Sequence, residues 1–121
     1  MPQRVLVVED DPDTAALLSL LIRTEGYEAH VVATLHDARA ALADVAPALV
    51  VLDLVLPDGD GLALCADLRG RRPMVPFVVL TARVDASTRA ASLAAGCTAY
   101  IAKPFELEEI VAEIRAAIGP P

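Results

Sequence analysis

The chain has no tryptophan, two phenylalanines and two tyrosines, so aromatics supply only 3 % of its 121 residues. Its core must therefore be aliphatic. Hydrophobic residues make up 55 % of the chain, ample material for one core in one domain. Cysteine is equally scarce. Cys65 and Cys97 lack metal-ligand spacing and sit among apolar or small residues, which predicts buried free thiols in a reducing compartment. Positive charge is in deficit, with 10 Lys+Arg against 17 Asp+Glu and a net charge of −7. That balance argues against nucleic acid as the direct partner of this domain and fits an acidic module whose partners carry basic groups. No apolar stretch approaches a membrane span of ~20 residues. The apolar run before Glu9 is too short for a secretory signal, so a cytoplasmic protein with no membrane contact is expected. There is no internal repeat and no low-complexity tract.

Two kinds of segment alternate. Short apolar runs lie at Val5–Val8, Ala29–Val32, Leu49–Leu52, Phe77–Leu80 and Ala99–Ala102. Between them the apolar residues take helical spacing. Ala15, Leu18, Leu21 and Ile22 form one face of a first helix, capped by Asp11 with Pro12 at its first position and closed by Gly26. Thr34 caps a second helix with Asp37 three residues on, and Pro47 marks its exit. A third helix follows Pro57-Asp58-Gly59-Asp60-Gly61 and ends near Gly70; a fourth runs from about Ala86 to Ala95. A fifth carries Leu107, Ile110, Val111 and Ile114 on one face and runs out at Gly119-Pro120-Pro121, the expected start of a linker. Five strands alternating with five helices predict an α/β fold: a doubly wound parallel sheet with helices on both faces. The flavodoxin-like order 2-1-3-4-5 is expected, with the site outside the carboxyl ends of strands 1 and 3.

That edge is where the acids fall. Glu9 and Asp10 end the first strand and Asp53 ends the third. Two like charges about 4 Å apart repel by roughly 4 kcal/mol at an effective dielectric of 20, so the cluster calls for a cation or a chemical use. The fourth strand ends at Leu80 and delivers Thr81, and Lys103-Pro104 follows the fifth.

In VLVVEDDP at 5–12, VVLDLVLPDGDG at 50–61, VVLTA at 78–82 and AGCTAYIAKPF at 95–105, the chain resembles the receiver domains of two-component response regulators. The resemblance covers essentially all of residues 1–121, read as one receiver domain. It implies that Asp53 is the phosphoacceptor, attacking a phosphohistidine on a sensor histidine kinase or phosphotransfer protein. It implies a Mg²⁺ held directly by Asp10, Asp53 and the main-chain carbonyl of Val55, with Glu9 acting through a water. Lys103 and Thr81 would each hold a phosphoryl oxygen. Thr81 and Tyr100 would form the switch that alters the helix 4–strand 5–helix 5 surface for an effector domain or a second copy. The Lys103–Pro104 peptide is expected to be cis by the same resemblance.

Simpler readings stand beside these. Asp11 reads as a helix cap, and Asp58 and Asp60 as turn and cap residues. Alone, Thr81 also reads as an N-cap of helix 4, Lys103 as a surface lysine and Tyr100 as a fixed core-edge aromatic. His30 and His36 lie away from the crevice and carry no assignment. Two positions that tune hydrolysis in the family hold Val55 and Arg83 here. Where winged-helix relatives pair helix 4, strand 5 and helix 5 through ions, this chain has Thr98, Ala99 and Glu113, and only Arg89 keeps the expected sign. Two other functions compete. An aspartyl phosphohydrolase of the haloacid dehalogenase type wants an acid where Val55 stands, and a cap domain for which the chain has no room. A nucleotide or flavin binder wants a phosphate-cradling loop where Glu9-Asp10-Asp11 would repel one.

Overall fold

A computed structural model of the chain describes residues 3–119. Strands β1 (Arg4–Val8), β2 (Glu28–Val32), β3 (Leu49–Leu52), β4 (Phe77–Thr81) and β5 (Ala99–Ala102) form one parallel sheet in the order 2-1-3-4-5. Helices α1 (Pro12–Thr24), α2 (Leu35–Val45), α3 (Leu62–Arg71), α4 (Ala86–Ala94) and α5 (Leu107–Ile118) connect and cover it. This is the flavodoxin-like doubly wound fold predicted from the alternation of segments. The Pro120-Pro121 end, read as the start of a linker, lies outside the described residues.

The strands are apolar throughout because each feeds two cores. Successive side chains point to opposite faces. Leu6 and Val8 of β1 join Val50, Leu52, Leu64 and Leu68 under α2 and α3, while Val5 and Val7 join Leu18, Ile22, Ile110 and Ile114 under α1 and α5. Each fully buried aliphatic side chain contributes about 1.5–3 kcal/mol relative to exposure. The α4 helix differs: its buried side chains are Thr88 and Ser92, and Leu93 is exposed. Apolar packing therefore holds α4 less firmly than its neighbours.

The helix ends follow the local chemistry. The Asp11 carboxylate accepts from Thr14 N at 3.1 Å, with Pro12 at the first position, and Gly26 takes φ 97° beyond the end of α1. Thr34 Oγ1 accepts from Asp37 N at 3.0 Å. Some expectations need correction. Thr81 is the last residue of β4, and Asp85 caps α4 by accepting from Thr88 N at 3.0 Å. The α3 helix ends at Arg71, near Gly70 as expected. Leu107, placed on the inward face of α5, is 41 % exposed as the first residue of that helix. Both cysteines are buried and free, and burial pushes the Cys65 thiol up to about 12. No helix among the described residues is long and apolar enough to cross a membrane.

Candidate functional site

The register of β1 and β3 builds the site. Val8 lies opposite Leu52, and Asp53 N–H donates to Val8 O at 2.9 Å, so the residues that follow these strands emerge side by side. Glu9, Asp10 and Asp53 thereby bring one carboxylate oxygen each within 4.8 Å of one another. Glu9 and Asp53 are buried, at 3 % and 6 % exposure, while Asp10 faces outward. On the far side, Leu52 lies opposite Val79 and Thr81 opposite Ala102. Lys103 N–H donates to Thr81 O at 2.9 Å, which fixes the lysine at the same edge.

Lys103 closes the group. Its Nζ donates to Glu9 Oε1 at 2.5 Å and to Asp53 Oδ2 at 2.8 Å. One ammonium therefore offsets two buried carboxylates. Burial pushes Glu9 above its usual range against the opposing pull of the Lys103 hydrogen bond and charge. For Lys103 burial favours the neutral amine, but hydrogen bonds to Asp53 and Glu9 and their charges outweigh it, so its pKa lies above the ordinary lysine value. The other Asp53 oxygen, Oδ1, accepts from Val55 N at 3.0 Å, and Glu9 Oε2 accepts from Asp11 N at 3.1 Å. The Lys103–Pro104 peptide is cis, as expected.

The other residues singled out by sequence fall around this centre. Thr81 is fully buried, and its hydroxyl accepts from Arg83 N at 3.2 Å. The Tyr100 hydroxyl donates to Arg83 O, and the Arg89 guanidinium lies 5.7 Å from the Tyr100 ring centroid. Among the described residues no hydrogen bond joins Thr81 or Tyr100 to the acids; both meet Arg83 instead. The Val55 side chain is 52 % exposed at the mouth, beyond the reach of apolar packing. Gly61 packs directly beneath the site: a Cβ there would lie 2.7 Å from Asp53 O and from Leu54 Cα.

Two contacts were not legible from sequence. Asp58 carboxylate oxygens accept from Leu35 N at 2.8 Å and His36 N at 3.0 Å, so a loop aspartate caps α2 from outside. These two hydrogen bonds hold Asp58 below the usual carboxylate range. Arg83 Nη1 pairs with Asp60 Oδ2 at 2.8 Å across the mouth. The only signal for either was the density of Asp and Gly between Pro57 and Gly61.

A sequence profile described as the response regulator receiver domain matches residues 5–115. The chain belongs to that family. The receiver is 40 % identical over 118 residues to the DNA-binding response regulator MtrA of Mycolicibacterium smegmatis, covering 98 % of this chain and 51 % of MtrA. It thus spans about half the length of the curated relatives it matches. Its backbone is similar to that of a CheY-like receiver domain protein from Methanospirillum hungatei, with TM-score 0.93 and 27 % identity over 98 % of this receiver and 94 % of that chain. It is also similar to the BeF₃-activated N-terminal receiver domain of Klebsiella pneumoniae RstA, with TM-score 0.89 and 31 % identity over 96 % and 98 % of the two chains.

Proposed function

We propose that this receiver takes a phosphoryl group from a phosphohistidine of a sensor histidine kinase or phosphotransfer protein onto Asp53, and that the change is read at the surface of α4, β5 and α5. The observation that carries this reading is Lys103 bridging Glu9 and Asp53 beside a third carboxylate. Such a cluster is costly as pure structure and suited to a hard divalent cation with oxygen ligands. The donor set fits Mg²⁺: Asp10, Asp53 and the Val55 carbonyl would hold it, with Glu9 acting through a water. When bound, the ion would neutralise charge on the transferring phosphoryl oxygens.

This chain's own residues do the rest. An Asp53 carboxylate oxygen attacks phosphorus, the P–O bond forms, and the P–N bond to the donor imidazole breaks with its electron pair left on nitrogen. Val55 N–H, hydrogen-bonded to Oδ1, steers which oxygen is free to attack. The Lys103 ammonium, already on Oδ2, pairs with a phosphoryl oxygen. The Thr81 hydroxyl accepts from Arg83 N and keeps its own proton for another. Water later cleaves the acyl phosphate, so the domain works as a signalling module with slow self-dephosphorylation. A groove lined by Thr14, Leu17, Lys103, Pro104 and Phe105 opens beside the site and offers a seat for the donor.

The output goes to an effector domain or a second copy. The curated relatives named as DNA-binding response regulators are about twice as long, so any DNA contact belongs outside this acidic domain. Its place is the cytoplasm, where kinases and such effectors meet. Residues 1–121 work as one receiver unit. The test is Mg²⁺-dependent labelling with acetyl phosphate, read by intact mass. Wild type gains one phosphoryl group and Asp53→Asn gains none; equal labelling of both proteins would reject the assignment.

A further inference from the structure

Arg83 joins four groups around the site through its side chain and backbone together, and none of them is Glu9, Asp10 or Asp53. Its Nη1 pairs with Asp60 Oδ2 at 2.8 Å, on the loop that follows Asp53. Its Nη2 donates to Thr88 Oγ1 at 2.8 Å, in the first turn of α4. Its backbone N–H donates to the Thr81 hydroxyl at 3.2 Å, and its carbonyl accepts from the Tyr100 hydroxyl. Thr88 Oγ1 in turn donates to Asp85 Oδ2 at 2.6 Å, so the same network reaches the α4 cap. Because α4 buries only Thr88 and Ser92, these polar contacts do for its first turn what apolar packing does for the other helices.

We infer that Arg83 is a positioning residue: its bridge between Asp60 and Thr88 holds the loop after β4 so that Thr81 and Tyr100 are set together, coupling the loop after Asp53 to the α4–β5 surface. The inference rests on the receiver reading of Asp53, Thr81 and Tyr100. It adds that the coupling runs through one arginine side chain. Asp60 serves two masters, since its other oxygen accepts from Leu62 N at 2.9 Å at the start of α3. The Arg83 and Asp60 side chains are 32 % and 48 % exposed, so the pair adds little to global stability, and a melting temperature is a fold check rather than the readout.

The test uses 3-fluorotyrosine incorporation and ¹⁹F NMR on the unphosphorylated protein, where Tyr27 is the internal reference and Tyr100 the reporter. Asp60→Asn keeps an oxygen for Leu62 N and removes the charge; Arg83→Gln removes the bridge. Each is expected to shift or broaden the Tyr100 resonance and leave Tyr27 in place, and Asp60→Asn is expected to add nothing on the Arg83→Gln background. The initial rate of acetyl phosphate labelling should fall by about two- to fivefold in each single variant, the range an exposed pair supports, and no further in the double. A Tyr100 resonance at its wild-type position in both single variants, or additive effects in the double, would overturn the inference. The resonance is read without phosphorylation, so it can fail while Asp53→Asn still abolishes labelling, and the reverse. Should Arg83→Gln not fold, Asp60→Asn carries the spectroscopic test alone.

Discussion

The two ends of the sheet use polar groups in opposite ways. At the amino end, hydrogen bonds tie chain segments together. Arg4 Nε pairs with Glu28 Oε2 at 3.0 Å and Arg4 Nη1 donates to Val45 O at 3.1 Å. Tyr27 OH donates to Gly119 O at 2.5 Å and Gln3 Nε2 to Ile118 O at 3.0 Å, which fastens the end of α5 to the base; among the described residues Gln3 Oε1 is the one buried side-chain polar atom without a partner. At the carboxyl end, three acids crowd one ammonium, and the arrangement is short of positive charge. The first end is built to stay as it is. The second gathers three carboxylates around a single ammonium.

The largest effect expected from that contrast comes from adding the missing charge. Mg²⁺ at 100 times its dissociation constant should stabilise wild type by about 2.7 kcal/mol, read as a rise in melting temperature over chelated protein. Replacing Asp10 with Asn should cut most of that rise. Next, Lys103→Met should destabilise the chelated protein by about 2 kcal/mol, a buried-pair loss discounted because the lysine is partly exposed. Saturating Mg²⁺ should shrink the deficit, since the ion supplies the charge that the lysine took away; a deficit unchanged by Mg²⁺ would contradict the electrostatic account.

Tyr27→Phe probes the other end. It removes one hydrogen bond to Gly119 O and should cost about 1 kcal/mol in chemical denaturation, with Mg²⁺ stabilisation and acetyl phosphate labelling unaltered. The smallest effect concerns an acid that is satisfied rather than crowded. Hydrogen bonds from the Thr88 and Ser87 side chains, and from Thr88 N–H, hold Asp85 down at about 2 against an ordinary 3.8. A depressed carboxylate contributes stability above its unfolded value, and that contribution is lost as pH falls from 3.8 toward 2. Asp85→Asn keeps a capping oxygen and does not titrate, so acid unfolding curves of this variant should be flatter in that window.

What could be read from the sequence followed its periodicities. Five apolar runs and the helical stripes between them predict a doubly wound parallel sheet, because each strand is covered twice and each helix buries one face; the order 2-1-3-4-5 comes from the small set of topologies that right-handed crossovers allow. The crowding of Glu9, Asp10 and Asp53 followed from strand ends alone, and Lys103 from its place after the last strand. The helix caps at Asp11 and Thr34 were legible because a cap and its target lie three residues apart. The contacts that escaped share one property: they join groups far apart in the chain. Asp58 reaches Leu35 and His36, and Arg83 reaches Asp60, across separations that leave no repeating pattern. The short antiparallel ribbon pairing Val55 with Asp60 and Leu56 with Gly59 was missed for a related reason, since two-residue strands have no alternation to detect. Ala46 at φ 50° was equally invisible: alanine does not announce a left-handed turn, although Pro47 after it disfavours a further helical residue.

Gly61 carries a consequence for how the gene can vary. Its φ of −61° suits every amino acid, so nothing about backbone shape demands glycine there. The obstruction begins with the first carbon of any side chain, 2.7 Å from the peptide oxygen of Asp53. A saturation scan of this codon should therefore give a flat profile in which alanine is refused as firmly as leucine, six residues from a Val55 codon that tolerates wide replacement.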